Sequence, residues 1–123
     1  MQLLLRPETL AVCRLPPEQP WPPAPDDGSL FAATSSDGER SVVCRADLAP
    51  VGVRVEPGWR ALTVVGPLDF ALVGVVADLT APLARAGISV FVLSTFDTDH
   101  VLVRAEAVEE ALAALTSAGH TLT

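Results

Sequence analysis

Gly87-Ile88-Ser89-Val90-Phe91-Val92-Leu93-Ser94-Thr95-Phe96-Asp97-Thr98-Asp99-His100-Val101-Leu102-Val103-Arg104 is the stretch on which the fold turns. Ile88–Leu93 is β-branched, aromatic and almost wholly apolar, as a central strand requires. Ser94–Asp99 is a polar turn, and His100–Arg104 returns as a strand, so the two runs read as an antiparallel pair. Upstream, Leu72, Val75, Val76, Leu79 and Leu83 recur at spacings of 3, 1, 3 and 4, one face of a helix. Asp69 is expected at its N-cap or in its first turn, and Gly87 at its stop. Pro82 is expected to bend this helix or restart it after Thr80. Arg60–Val65 precedes it as a strand ended by Gly66-Pro67. Downstream, Val108, Leu112 and Leu115 mark a second helix, with Glu106, Glu109 and Glu110 near its start and Gly119 after its end. His120–Thr123 is expected as an edge strand. The order is β-α-β-β-α-β, the ferredoxin-like pattern.

The first half reads as a looser copy of the same order. Thr9–Leu15, Leu30–Thr34, Ser41–Arg45 and Val51–Val55 are the expected strands, with a turn of helix at Asp47–Pro50. Composition changes near Gly58-Trp59: residues 1–58 hold 9 of the 11 prolines, six of them within Pro16–Pro25. Six prolines cannot lie inside a regular helix, so this unit has lost most of its first one. The expected fold is α+β, with two ferredoxin-like units packed side by side: 1–58, degenerate, and 59–123. Trp21 and Trp59 read as packing residues, Trp21 anchoring the proline-rich segment.

The chain has 123 residues, a formal net charge of −7, 8 Arg and no Lys. It lacks the positive field on which nucleic-acid and anionic-membrane binding depend. No stretch approaches a membrane span, and Met1–Pro7 has no basic n-region, so the expected setting is cytoplasmic. Cys13 and Cys44 match no metal-ligand spacing and read as free core thiols. There is no phosphate-binding glycine loop, no nucleophile elbow and no Cys/His nucleophile pair, so an enzyme is not expected, nor a cofactor.

Gly58-Trp59-Arg60-Ala61-Leu62, Gly66-Pro67-Leu68-Asp69-Phe70, Gly87-Ile88-Ser89 and the turn Ser94–His100 resemble the tandem ACT-domain family, of the ACT_7 type found in short bacterial proteins and the arginine-sensing CASTOR proteins. Leu10–Leu15 and Ser41–Cys44 resemble the N-terminal unit of the short members. The resemblance implies a regulatory module that binds an amino acid at an interface between paired domains. It also implies a pocket lined by Thr95, Phe96 and Asp99, with Gly74 on the facing helix leaving room for ligand. The sensors carry four such units per chain and this chain at most two, which implies a homodimer.

From the residues themselves, Gly66, Pro67, Leu68 and Asp69 lead into a helix N-terminus whose amides could hold a carboxylate, with Asp69 meeting an amino group. The other reading is a plain turn with Asp69 as cap. Gly74 serves either close packing or ligand approach. Asp97 and Asp99 either accept from an ammonium or guanidinium group or stabilise their own turn; a divalent-metal role for them is a weaker alternative, and no metal site is expected. Phe96 is either a pocket wall or core, and surface or capping roles are expected for His100 and His120. A ligand-independent, dimeric assembly module that regulates a partner enzyme is the competing function.

Overall fold

The computed structural model describes all residues, Met1–Thr123, as two compact units: Met1–Pro7 with Arg60–Thr123, and Glu8–Trp59. The expected division placed the first seven residues in the N-terminal unit; they belong to the other. The cause is strand β1 (Gln2–Leu5), which pairs antiparallel with β5 (Arg54–Val64) at Leu3↔Val64, Leu4↔Thr63 and Leu5↔Leu62. Leu3 is fully buried there.

In the larger unit the chain continues from β5 through α1 (Val75–Arg85), β6 (Val90–Ser94), β7 (Asp99–Arg104), α2 (Val108–Ser117) and β8 (Thr121–Leu122). The strands lie in the order β8-β1-β5-β7-β6. This is the ferredoxin-like order with β1 inserted between β5 and β8, the latter running parallel to it. Leu62, Val64, Val101 and Val103 from the strands meet Leu79 and Leu83 of α1 and Ala111 and Leu115 of α2 in one core. The last strand of the unit therefore forms as expected, but on β1.

Three details differ from expectation. Helix α1 begins at Val75, not near Asp69, because Gly74 takes a left-handed conformation (φ 84°) and forms the N-cap. Of the two outcomes expected at Pro82, the restart after Thr80 does not occur: the helix runs on through this residue, which is buried. His100 and His120 are buried, at 5% and 8% exposure, because each has a hydrogen-bond partner inside the unit. Thr63 Oγ1 lies 2.8 Å from His100 Nδ1. His120 Nε2 lies 3.1 Å from the Asp78 carbonyl, to which it donates.

The smaller unit contains β2 (Leu10–Leu15), β3 (Ala32–Ser36), β4 (Glu39–Arg45), a single 3₁₀ turn at Ala46–Leu48 and the first part of β5. Its order, β3-β4-β2-β5, is again ferredoxin-like, and it holds no α-helix. Residues 51–53 turn rather than extend. Where a helix would stand, the proline-rich segment is held by Arg40. Its Nη1 donates to the carbonyls of Pro17 (2.9 Å) and Gln19 (2.6 Å), and the guanidinium lies 3.9 Å from the centre of the Trp21 ring. Ala11, Cys13, Leu15, Val42 and Cys44 form the core of this unit, with both cysteines as free thiols. No helix is long and apolar enough to cross a membrane.

Candidate functional site

Two loops of the larger unit meet at the N-terminus of α1. The first, residues 66–74, is fixed at its start: the Leu68 amide donates to the Asp97 carbonyl at 2.7 Å. The Gly66-Pro67 peptide is cis. A Cβ on Gly66 would stand 3.0 Å from that same carbonyl oxygen and 3.3 Å from the Thr98 Cβ, so only glycine allows the loops to lie this close. Asp69 then makes a tight turn, its carboxylate accepting from the Ala71 amide at 2.8 Å and its carbonyl from Leu72 at 3.1 Å.

The second loop, residues 95–98, joins β6 to β7. The Thr95 amide donates to the Thr98 carbonyl at 2.8 Å, and Thr98 Oγ1 donates to the Val64 carbonyl at 2.6 Å, tying the turn to β5. Ser94 and Asp99 face each other across the strand pair, and the Ser94 hydroxyl donates to the Asp99 carboxylate. These bonds anchor Asp99 by one oxygen.

Between the loops lies a hollow of about 410 Å³, within the size range of small-molecule sites. Of the residues singled out from sequence, Leu68, Asp69, Gly74, Thr95, Phe96, Asp97 and Asp99 line it. Gly66 and Pro67 do not; they hold the loop in place. A Cβ on Gly74 would meet nothing within 4 Å, so its positive φ, and not close packing, accounts for the glycine. Phe96 is 80% exposed, which excludes a core role, and packs edge-on against Phe70 with ring centres 4.9 Å apart.

Phe70, Leu72, Val75, Val76, Ala77, Ser94 and Thr98 also line the hollow, and none of them is among the site residues expected from sequence. Leu72, Val75 and Val76 read as the apolar face of a helix, and Phe70 carries no polar group to mark it. The signal available was Gly74 itself, a helix-start glycine that turns the preceding residues outward. Residues 75–77 bring the first amides of α1, which no side chain caps and which carry the positive end of the helix dipole. Three carboxylates and no basic side chain line the hollow. It therefore offers backbone donors at one place and acceptors at another, beside an exposed aromatic pair.

The ferredoxin-like fold alone does not fix a function, and sequence comparison gives the family. Residues 54–117 match the ACT domain (ACT_7), and the chain belongs to that family. The human "Cytosolic arginine sensor for mTORC1 subunit 1" is 35% identical over 89 residues, 66% of this chain and 27% of the sensor. The chain thus spans about a quarter of the length of that relative. The crystal structure of protein Atu0741 from Agrobacterium tumefaciens superposes with a TM-score of 0.89 at 38% identity, covering 99% of this chain and 91% of that one. The regulatory subunit of aspartate kinase from Thermus thermophilus has the same fold, with a TM-score of 0.65 at 16% identity over 95% of this chain and 96% of that one.

Proposed function

We propose that this protein is an amino-acid sensor, not an enzyme, that binds its ligand in the hollow between residues 68–77 and 94–99. The observation that carries the reading is the pairing of uncapped α1 amides with Asp97 and Asp99 in one cavity. The amides at residues 75–77 hold the ligand carboxylate. Asp99, with Asp97 and Asp69 beside it, meets its amino or guanidinium group, and Thr95, Leu68 and Phe96 form the wall. Gly66 and Pro67 act by placing the first loop. The hollow is open, and Phe70, Val73 and Phe96 beside it are strongly exposed, which fits a homodimer in which a second copy covers the ligand. Ligand then acts by favouring the paired arrangement, since it shifts only an equilibrium whose states it binds differently. The name of the human relative supports both the amino-acid class and a cytoplasmic setting.

Thermal-shift screening against the twenty amino acids tests this. A rise in melting temperature with a subset of them, lost in Asp99→Ala, is the expected result; a flat response across all twenty overturns it.

The same exposed apolar residues favour a second reading, a dimeric assembly module that regulates a partner enzyme without ligand. It predicts partner binding that is unchanged by Asp99→Ala and lost on Phe96→Ser.

A further inference from the structure

A second polar site stands in the smaller unit, on the sheet face that carries Val12 and Arg14. Arg14 of β2 lies directly opposite Ser41 of β4 on one side and opposite Arg54 of β5 on the other. Like charges facing each other across an antiparallel pair repel at short range. In a chain with 15 acidic residues and 8 arginines, two arginines that face each other and make no salt bridge stand out. Yet both Arg14 and Arg54 are exposed, and neither takes part in a salt bridge. Arg45, by contrast, is clamped between Asp27 and Asp47.

The two guanidinium-bearing residues border two hollows. One, of about 220 Å³, is lined by Val12, Ser41, Glu39 and Glu56 besides the arginines. The other, of about 320 Å³, is walled by Leu15, Pro16, Pro17 and Val53. Cross-strand neighbours are close enough for two guanidinium groups to converge on one oxyanion, and planar forks suit carboxylate and phosphate geometry. Glu39 and Glu56 limit what enters: they repel a compact polyanion and accept from a donor placed beside the oxyanion.

We propose that Arg14 and Arg54 form an oxyanion-binding site for a small organic acid or phosphate monoester whose apolar body lies against Pro16 and Pro17, where the chain leaves β2. Occupancy removes the repulsion between the arginines and so stabilises the smaller unit. This site is separate from the hollow at α1 and does not depend on the amino-acid reading.

Amide chemical shifts followed at constant ionic strength, with inorganic phosphate, phenyl phosphate and mandelate as probes, test the site. Phenyl phosphate and mandelate are expected to shift the β2 and β5 amides saturably, with Kd on the order of 1 mM or below, and inorganic phosphate more weakly. Arg14→Ser and Arg54→Ser each abolish the effect while leaving the ligand-free melting temperature equal or higher; Arg85→Ser, on α1, leaves binding intact. Non-saturating shifts, or saturation that persists in the Arg14→Ser/Arg54→Ser double variant, overturn the proposal. Equal affinity for inorganic and phenyl phosphate overturns the placement of the apolar body.

Discussion

His120 supplies the hydrogen bond that Pro82 cannot. In a regular helix the amide four residues on donates to the Asp78 carbonyl; here that residue is Pro82, which has no N–H. His120 Nε2 donates to this carbonyl instead, at 3.1 Å. The helix α1 runs on through its buried proline, and a donor from beyond the end of α2 satisfies the carbonyl that the proline leaves open.

This relationship predicts a coupled pair. His120→Ala leaves the carbonyl without its donor and is expected to cost about 1–3 kcal/mol. In a Pro82→Ala background the helix makes its own bond, and the same histidine substitution should cost less by at least about 0.5 kcal/mol. Urea unfolding of the four proteins measures the difference; additive effects would show that the bond has no energetic role.

Gly66 and Gly74 flank the same loop but resist alanine for different reasons. At Gly66 the new methyl meets a backbone carbonyl at 3.0 Å, so the loops must separate. We expect Gly66→Ala to cost about 1–3 kcal/mol and to weaken any ligand response of the hollow. At Gly74 there is free space and a φ of +84°, so Gly74→Ala should cost about 1–2 kcal/mol from backbone strain alone. Gly74→Asn, which tolerates that conformation better, should recover part of it. Equal behaviour of Ala and Asn at Gly74 would contradict the conformational explanation.

Much of this architecture is legible in the residues. Gly87, with a φ of +74° after α1, and the spacing of Val108, Leu112 and Leu115 are local signals, and local signals survive folding. The prolines of Pro16–Pro25 correctly announce a unit without its helix. What escapes is non-local. Gln2–Leu5 is four residues long and becomes a strand only by meeting residues some sixty positions away. The two histidines read as surface or capping residues because their partners, Thr63 and the Asp78 carbonyl, are brought to them by the sheet and by α1. At the candidate site, the Asp-rich turn is readable, whereas Leu72 is masked by a helix-like pattern that Gly74 interrupts.

The buried thiols carry a pH and reactivity signature. Burial pushes the Cys44 thiol up to about 12, with nearby Cys13 adding to the effect; burial also raises Cys13, against the pull of its hydrogen bond with Cys44. A raised folded-state value means that this contribution to stability is complete below the ordinary thiol value of 9.0 and is lost as pH rises toward about 12. Native protein at neutral pH should resist iodoacetamide at both cysteines, and protein in denaturing urea should react at both. Rapid alkylation of the native form would contradict the packing.

The Asp27 carboxylate has the opposite sign. Hydrogen bonds from the Ser29 hydroxyl and amide, followed by Arg45, hold it down at about 2. Its contribution is therefore present above the ordinary value of 3.8 and fades as pH falls through about 2. Acid titration should loosen the segment between the proline-rich run and β3 over this range, and in Asp27→Asn the segment should already be looser at neutral pH. Protection of the Ser29 and Leu30 amides, taken relative to their intrinsic exchange rate at each pH, reads both effects; unchanged protection between pH 5 and pH 2 would count against the clamp.

The placement of Met1–Pro7 in the larger unit makes a sharp claim about two adjacent leucines. Leu3 is fully buried among Leu62, Val64, Leu79 and Val103, whereas Leu4, on the other side of the strand, is 39% exposed. Leu3→Ala removes a core side chain and is expected to cost about 2–5 kcal/mol. Leu4→Ala loses only partial burial and should cost less than about 1.5 kcal/mol. If β1 were a loosely attached arm, both substitutions would be near neutral. If it were buried on both faces, both would be severe. Denaturant midpoints for the two variants separate these cases, and the expected asymmetry follows from the alternation of one short strand.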